Sequence, residues 1–482
     1  MTVKGSLFCL LLIVFCPCFG QDNVSKIDKK DLRMFIKTFS SAQFDGRAID
    51  NNGQLKTQQY IIDRFKALQI EPFSPDGYLD KFLLNRIDRG EIYLQTQNQR
   101  ILRNMERMIF EGNIQYTNEI EREVVFGGSG TEEELNQIEV ENRFVLIPSV
   151  GFGDESAIKK RLEARNACGL IMFMKDENKF ETAKNRLNEF HLQKRFSIPN
   201  PQDTNHLNLS AVEQTGSFPV INTIKIPGSE VKNIINFTQN KLLNPFYQRK
   251  IKHAPPAKIR LNFEGVAKKI ETANVIGVIR GKSEQAIILS AHYDHIGRGE
   301  NTYYPGADDN ASGVAALLEL AEEFMQYKQL KYTMIFIATT AEEGGLLGSR
   351  YHVEKPDFDP EKALCNINMD MISRCDPQHT NNCDYLYCIG TNHDLHLDSI
   401  VRKANMLYPH CTFDYSANSS DIFFRTDGYN FKKKGIPSIL FFSGFHDDYH
   451  KPTDTIDKIN FDLLEHRIKL ICEVIKLLQE IN

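Results

Sequence analysis

The stretch AIILSAHYDHIGRGENTYYPGADDNASGVAALLELAEEFM, residues 286–325, decides the fold. It opens with a short apolar run and closes inside a helical pattern, and this order is typical of a buried strand of a parallel sheet followed by its crossover helix. The same alternation fills the chain from about residue 259 onward. Apolar runs of strand length lie at 274–279, 286–292, 333–338, 366–371, 385–390 and 438–444, and helical patterns lie at 312–327, 395–405 and 461–480. The sequence therefore predicts an α/β fold with a mostly parallel mixed sheet flanked by helices.

Polar side chains that are able to bind a metal stand where these strands end. Ligands of open α/β sheets collect at the carboxyl ends of the strands, so residues at these points are expected to meet. All of them carry nitrogen or oxygen donors, which suit zinc or a similar divalent ion. The residues at these points are His292, Asp294, Glu342, Glu343, Asp370 and His450, and Asp309 precedes the helix at 312–327. The sequence predicts a metal site at this edge of the sheet.

Five short segments carry a resemblance to a known family. They are HYD at 292–294, GADDNASG at 306–313, AEEGGLLGS at 341–349, NMD at 368–370 and DYHKPTDT at 448–455. In this order they resemble the co-catalytic di-zinc aminopeptidases of clan MH, which include secreted leucine aminopeptidases and have glutamate carboxypeptidase and glutaminyl cyclase as relatives. The resemblance covers roughly residues 255–482. It implies a fold of the zinc exopeptidase type and two Zn²⁺ ions, with another divalent metal as an alternative.

The resemblance also implies a role for each matching residue. Asp309 would bridge both metals, and a non-proline cis peptide would follow it. His292 and Asp370 would complete one metal site. Glu343 and His450 would complete the other. Two metals about 3.5–4 Å apart need one short shared ligand, which a carboxylate supplies.

Glu342 and Tyr449 would serve the reaction itself. Glu342 would be the general base, taking a proton from the attacking water and passing it to the leaving amine, and Tyr449 would donate a hydrogen bond to the oxyanion. Asp294 would stand behind the ligands, accepting the other N–H of His292 and fixing its tautomer. Asp454 would do the same near His450. Arg425 and Asp427 lie in a segment where relatives contact substrate, and His295, His352 and His446 are expected at the surface or behind the ligands.

The domain organisation follows from shifts in pattern along the chain. Residues 28–70 predict two helices joined by the turn FDGRAIDNNG at 44–53, whereas residues from about 86 to 250 predict short strands and turns. This inserted, smaller β-rich α+β domain is similar to a protease-associated domain, although no motif supports the likeness. We predict a signal peptide at 1–20, an N-terminal helical part of the peptidase unit at 21–85, the insert at 86–250 and the catalytic domain at 251–482.

The first twenty residues predict export. Lys4 precedes an apolar run at 7–15 that is too short to span a membrane, and Gly20 ends a region of small residues suited to cleavage. A lipoprotein anchor at Cys16 or Cys18 is the alternative, disfavoured by the bulky and rigid residues before them. Export to a periplasmic or extracellular location permits a disulfide, and Cys375 and Cys383 flank a polar loop that such a bond would close.

Composition excludes several classes of function. The chain has 482 residues, 41% hydrophobic and 25% charged, which is typical of a globular protein and not of disorder, collagen or coiled coil. The 58 basic and 63 acidic residues give a net charge of −5 and no basic run, so no nucleic-acid partner is expected. No apolar stretch of the folded part reaches about 18 residues, so no membrane span is expected. The sequence gives no indication of an oligomeric state.

The resulting hypothesis is a secreted metallo-aminopeptidase that acts on peptides with a free N-terminus. A dipeptidase or carboxypeptidase of the glutamate-carboxypeptidase kind is one alternative, which would need basic residues to hold a substrate carboxylate. An inactive binding ectodomain is another, which would have lost Glu342 or a metal ligand. The preferred side chain at the substrate N-terminus is not predicted, because the pocket comes from loops such as 375–384 and 411–431.

Overall fold

The computed structural model describes residues 26–111, 118–189, 194–199, 222–252, 254–299, 302–354, 359–391, 394–419 and 421–480. The predicted signal peptide lies outside these residues. The described helices are α1 (Lys29–Phe39), α2 (Asn52–Ala67), α3 (Glu132–Leu135), α4 (Phe152–Glu163), α5 (Glu177–Glu189), α6 (Val231–Ile235), α7 (Gln239–Leu242), α8 (Pro245–Lys252), α9 (Ala311–Met325), α10 (Leu347–Glu354), α11 (Leu395–Leu407), α12 (Gly428–Lys433) and α13 (Phe461–Gln479). The described strands are β1 (Glu71–Pro72), β2 (Leu79–Thr96), β3 (Ile101–Arg103), β4 (Ile109–Glu111), β5 (Asn118–Phe126), β6 (Phe144–Pro148), β7 (Gly169–Met174), β8 (Lys194–Ser197), β9 (Asn222–Pro227), β10 (Ala257–Ile279), β11 (Ser283–His292), β12 (Tyr332–Thr339), β13 (Ala363–Met369), β14 (Tyr385–Ile389), β15 (Thr412–Asp414) and β16 (Ser438–Phe442).

The strands form one mixed sheet with a parallel centre, as the sequence predicts. Its main path runs β15-β14-β16-β13-β11-β12-β10-β5-β6-β7-β9-β4. Strand β11 pairs in parallel with β12 on one side and β13 on the other, and β13 pairs in parallel with β16. The flanking pairs β10–β12 and β14–β16 are antiparallel. The four central parallel strands therefore direct their carboxyl ends to the same edge, where the metal-capable residues follow.

Helices cover one face of this central sheet with a continuous apolar core. Helix α9 is buried along nearly its whole length, and with α1, α2 and α13 it packs against the inward face of the strands. At its start Gly313 lets the helix approach β13 closely, because a Cβ there would lie 2.4 Å from the main-chain oxygen of Met369. This close approach brings Asp309, just before the helix, next to Asp370, just after the strand.

The long strands β2 and β10 run side by side between the central sheet and the rest of the strands. Beyond them β5, β6, β7 and β9 pair in parallel, with α4 connecting β6 to β7. These strands have hydrophobic clusters of their own, which consist of residues between Ile92 and Leu261.

The structure confirms the helices and strands that longer patterns predicted and adds several short elements, among them β15, α10 and α12. Strand β15 and helices α10 and α12 have three, eight and six residues, too few for a periodic pattern to emerge. A disulfide joins Cys375 to Cys383, as proposed for that loop, and Cys388 is buried. No helix in the described part of the chain combines the length and apolar character needed to cross a membrane.

Candidate metal centre

Asp309 is held in place by the residue that follows it. The Asn310 side chain caps α9 by accepting the N–H of Gly313 at 2.9 Å. The same side chain donates to the main-chain oxygen of Met369 at 3.0 Å and accepts the N–H of Met371 at 3.2 Å. It therefore ties the start of α9 to both sides of Asp370. The Asp309–Asn310 peptide bond is cis, in agreement with the resemblance.

Each carboxylate oxygen of Asp309 faces a different histidine. Oδ1 lies 3.4 Å from Nε2 of His292, whose other carboxylate neighbour is Asp370 Oδ1 at 3.3 Å. Oδ2 lies 3.0 Å from Nε2 of His450, which lies 3.0 Å from Glu343 Oε2. The structure thus brings all five predicted ligands together as two groups that share Asp309. The donors fit two divalent metals with one bridging carboxylate.

His295 joins the second of these groups. Its Nδ1 lies 2.9 Å from Glu343 Oε1 and 3.7 Å from Asp309 Oδ2, and the side chain is fully buried. Ligand atoms of His295, Asp309 and Glu343 all lie within 4.8 Å of one another, as do those of His292, Asp309 and Asp370. Of the two positions expected for His295, the structure shows the buried one, beside the predicted ligands. The signal in the sequence was the second histidine of HYDH.

Asp294 supports the site differently from the prediction. His292 Nδ1 lies 3.2 Å from the main-chain oxygen of Asp294, while the nearest oxygen of the carboxylate is 3.9 Å away. The carboxylate instead accepts the main-chain N–H groups of Glu342 and Glu343, at 3.2 and 3.3 Å. The tight turn leaves these two N–H groups without helical or strand partners, and a buried acceptor satisfies them. Burial raises the pKa of Asp294 to about 7.

Asp454, which the sequence predicts to stand near His450 as Asp294 stands near His292, instead supports the main chain beside Asp309. It is fully buried, and its Oδ2 accepts the N–H of Asp308 at 3.0 Å and of Asp309 at 3.1 Å. Asp308 is also buried and accepts hydrogen bonds from Ser373. Its Oδ2 lies 3.3 Å from His446 Nε2, so His446 likewise lies inside the protein. These contacts hold the loop before α9 against the segment after β13.

The adjacent Glu342 and Glu343 have opposite electrostatic environments. Burial, together with the charges of Glu343, Asp370 and Asp427, raises the pKa of Glu342 well above its ordinary value. Burial would also raise the pKa of Glu343, but the imidazoles of His450 and His295 outweigh it and hold that pKa well below the ordinary value. When the environments of two neighbouring carboxyl groups shift their pKa values in opposite directions, the two groups typically have different roles in catalysis.

The histidines of the two groups also respond to the acids. Burial alone would lower the pKa of His292, but the charges of Glu342, Asp370 and Asp309 raise it well above its ordinary value. The pKa of His450 is raised in the same way by Glu343 and Asp309. Surplus negative charge of this kind at imidazole ligands favours a bound cation.

A cavity of about 30 Å³ opens beside the two groups. Glu342, Asp309 and Asp370 are the carboxylates among the described residues that line it. The Tyr449 ring stacks on His450 with 3.8 Å between ring centroids, and burial raises the pKa of its hydroxyl well above the ordinary value. The remaining wall is mainly apolar. Its apolar residues are Met371, Ile422, Phe442 and Phe445, and Arg425 and Thr426 are its polar ones.

The two predicted substrate residues lie in different surroundings. Arg425 lines the cavity, with its guanidinium 5.5 Å from the centre of the Phe445 ring. Asp427 is 1% exposed, accepts a hydrogen bond from Thr339, and is absent from the described lining of the cavity. The expectation that Asp427 contacts substrate is therefore not supported by its position, because the side chain points into the core at the end of β12.

The chain is similar to known peptidases over part of its length. Residues 274–475 match the model of Peptidase family M28. Over 219 residues the chain is 29% identical to the probable lipoprotein aminopeptidase LpqL of Mycobacterium tuberculosis, covering 39% of this chain and 41% of that protein. Over 214 residues it is 28% identical to a probable leucine aminopeptidase of Arthroderma otae, covering 42% of this chain and 57% of that protein. The chain thus spans about half the length of these curated relatives.

Solved structures share the fold over nearly the whole chain. An aminopeptidase from Aneurinibacillus sp. strain AM-1 aligns with a TM-score of 0.58 at 18% identity, covering 93% of both chains. BSAP, a zinc aminopeptidase from Bacillus subtilis, aligns with a TM-score of 0.57 at 17% identity, covering 93% of this chain and 94% of that one. At such identities the likeness concerns the fold alone. The match of residues 274–475 to the model of Peptidase family M28 agrees with the family resemblance seen in the five sequence segments.

Proposed function

We propose that the protein is a zinc-dependent aminopeptidase that hydrolyses N-terminal residues from peptides. The observation that carries this proposal is the pair of oxygens of Asp309, each facing a histidine with a further carboxylate beside it. Only imidazole and carboxylate donors form the two groups, which suits zinc. The family match over residues 274–475 supports the same reading.

The five ligands would hold two Zn²⁺ ions. His292 and Asp370 would hold one, Glu343 and His450 the other, and Asp309 would bridge them. When bound, such a pair supplies Lewis-acid activation of water and of the scissile carbonyl. His295 would orient Glu343 through its hydrogen bond to Oε1, leaving Oε2 directed toward His450.

Glu342 would act as the general base. It lines the cavity without belonging to either ligand group, and its raised pKa suits a group that takes a proton and later returns it. The proton would pass from the attacking water to the Glu342 carboxylate and then to the nitrogen of the leaving amine. Asp294 holds the main-chain N–H of Glu342 and so fixes the direction of this side chain.

Tyr449 would donate a hydrogen bond from its hydroxyl group to the oxyanion. The raised pKa keeps this hydroxyl protonated across the neutral range, as a donor must be. The protonated amine of a free N-terminus would be drawn to the surrounding acids, which favours an exopeptidase. The apolar cavity wall would receive an apolar first side chain.

One observation favours a second candidate, a dipeptidase or carboxypeptidase of the glutamate-carboxypeptidase kind. Arg425 lines the cavity and would be able to hold a substrate carboxylate. A single exposed arginine is weaker support than the acid-rich site, which would repel a carboxylate until both metals bind. We therefore place aminopeptidase action first.

Chromogenic substrates distinguish these candidates. We expect cleavage of leucine p-nitroanilide, no cleavage of N-acetyl-leucine p-nitroanilide, loss of activity with a chelator and recovery with Zn²⁺. Cleavage of an N-blocked dipeptide with a free carboxyl end would favour the carboxypeptidase reading. Activity that ignores the chelator would refute both. An inactive binding ectodomain would cleave none of these substrates even with zinc bound.

Export and the division into domains are part of the same proposal. The apolar run before residue 20 supports a signal peptide, so the mature chain should begin near Gln21, as N-terminal sequencing of exported protein would test. We propose that residues 86–250 form a protease-associated-like domain beside the catalytic unit at 251–482 and the helices at 21–85. The separate hydrophobic clusters of the inserted strands support this division.

A further inference from the structure

The turn at 44–53, which the predicted function leaves without a role, carries a fully buried arginine. Arg47 follows α1 and is 1% exposed. Its backbone has a φ of 53° and that of Gly46 a φ of 64°, so both residues lie in the left-handed region, as do Asp45 and Asp50 of the same turn. A Cβ on Gly46 would lie 2.2 Å from the main-chain oxygen of Gly297, so the turn presses directly onto the loop that follows His295.

All five N–H donors of Arg47 point at main-chain oxygens. Nε donates to Tyr293 at 3.0 Å. One terminal nitrogen, Nη1, donates to Phe39 at 2.8 Å and to Pro305 at 2.7 Å, and the other, Nη2, donates to Gly306 at 2.9 Å and to Asp309 at 3.3 Å. A guanidinium has five such donors, so its hydrogen-bonding capacity is used completely. Four of the five acceptors belong to the two segments that carry His292 and Asp309.

The charge of Arg47 also faces the acids of the centre. Burial lowers the pKa of Arg47 to about 10, while Asp309, Asp454, Asp294 and Glu343 oppose this effect, so the side chain stays cationic at neutral pH. The guanidinium contacts main-chain oxygens and not the carboxylates of these acids. A fixed positive charge there reduces the repulsion that gathering so many acids creates.

We propose that Arg47 is a positioning residue of the metal centre. It fixes the backbone of residues 305–309 and thereby the direction of the Asp309 carboxylate, and it links the N-terminal helical segment to both ligand groups. The inference rests on the proposed metal centre and assigns part of that centre to a residue 262 positions away in sequence. Partners that hold ligands in this way typically contribute 10- to 100-fold to metal affinity.

A second buried arginine provides a matched control. Arg467 on α13 is 0% exposed and likewise donates to main-chain oxygens, those of Tyr385, Ile372, Arg374 and Cys383. Its hydrogen bonds go to the segment around the disulfide and to Ile372, which follows Asp370, and among the described residues none of them reaches the loop at 305–309. Replacing either arginine by lysine should reduce stability to a similar degree, but only the change at Arg47 should affect the metals.

The test compares Arg47→Lys, Arg47→Met and Arg467→Lys in the full mature chain. Zinc affinity is measured by chelator competition, the coordination by the absorption spectrum of the Co²⁺-substituted protein, and stability by thermal unfolding of the metal-free forms. We expect zinc affinity about 10-fold weaker in Arg47→Lys and about 100-fold weaker in Arg47→Met, with an altered Co²⁺ spectrum. Arg467→Lys should keep its zinc affinity within about threefold.

Three results separate the possible failures. Wild-type zinc affinity and an unchanged spectrum in both Arg47 variants would overturn the inference while leaving the proposed function intact. Equal loss of zinc in the Arg47 and Arg467 variants would also overturn it, because the effect would then follow stability alone. A wild-type protein that binds no zinc would refute the metal centre itself. If neither Arg47 variant folds, Gly306→Ala disturbs the same loop, since its Cβ would lie 2.2 Å from the main-chain oxygen of Asp309, 2.5 Å from the His295 ring and 2.7 Å from Arg47 Nη2. Unchanged zinc affinity there would again refute the inference.

Discussion

Exchanging Glu342 for glutamine tests the centre most directly. The change keeps the size and the hydrogen-bonding shape of the side chain but removes its ability to accept a proton. Three carboxylates among the described residues line the cavity, and Asp309 and Asp370 belong to the group around His292. Among the described lining residues, Glu342 is therefore the one carboxylate left for proton transfer. We expect kcat to fall at least 100-fold, which corresponds to about 2.7 kcal/mol of activation free energy.

The metals should stay in Glu342→Gln, because the two ligand groups are complete without this residue. The assay combines steady-state kinetics on leucine p-nitroanilide with the zinc content of the dialysed protein. Glu343→Gln is the matched control, since it makes the same chemical change one residue away. Glu343 lies 3.0 Å from His450, so this variant should lose about half of its zinc as well as its activity.

Two outcomes would refute this reasoning. Loss of zinc from Glu342→Gln, with zinc retained in Glu343→Gln, would mean that the two roles are reversed. Residual activity of Glu342→Gln above about a tenth of wild type would mean that the general base lies elsewhere, because a lost base costs at least two orders of magnitude.

Three further predictions concern other parts of the molecule. Tyr449→Phe should keep both metals and lower kcat about 100-fold with little change in KM, as kinetics and metal content would establish; an unchanged kcat would assign the ring a packing role only. Burial raises the pKa of Glu319 from 4.5 to about 8, so the folded protein holds a proton that the unfolded chain has released, and stability should fall as pH rises between these values. Glu319→Gln should remove this fall, and above pH 8 its free energy of unfolding should exceed that of wild type by on the order of 4 kcal/mol. If urea unfolding shows that the stabilities of the two proteins change with pH in parallel, the prediction is wrong. Replacing Cys375 and Cys383 by serine should cost about 2–3 kcal/mol in urea unfolding, the entropy of a short closed loop, and an unchanged midpoint would show that the bond adds nothing to stability.

Much of the architecture was predictable because its signals are local. Strands buried on both faces are continuous apolar runs, and the four central ones could be placed within a few residues from these runs alone. The rule that parallel strands end at one edge then predicted that His292, Glu343 and Asp370 meet, and they do. Short elements such as β15 and α12 escaped because three to six residues show no periodicity.

The exact partners inside the site depended on the tertiary structure. Asp294 was expected to accept a hydrogen bond from His292, but its carboxylate serves the N–H groups of Glu342 and Glu343. Asp427 was expected to contact substrate, but it is buried under Thr339. In both cases the residue type was informative and the direction of the side chain was not, since direction is set by the main-chain groups that each local turn leaves unsatisfied.

The sequence alone determined the α/β sheet, the edge at which ligands gather and the residue types that would hold a metal. These follow from the spacing of apolar residues and from the chemistry of carboxylate and imidazole side chains, and both can be read from a short stretch of sequence. Only the tertiary structure decided which oxygen of Asp309 faces which histidine, and that Arg47 stands behind both groups. These facts join residues up to 262 positions apart, and their relation exists only once α1, the turn after it and the loop before α9 are packed against one another.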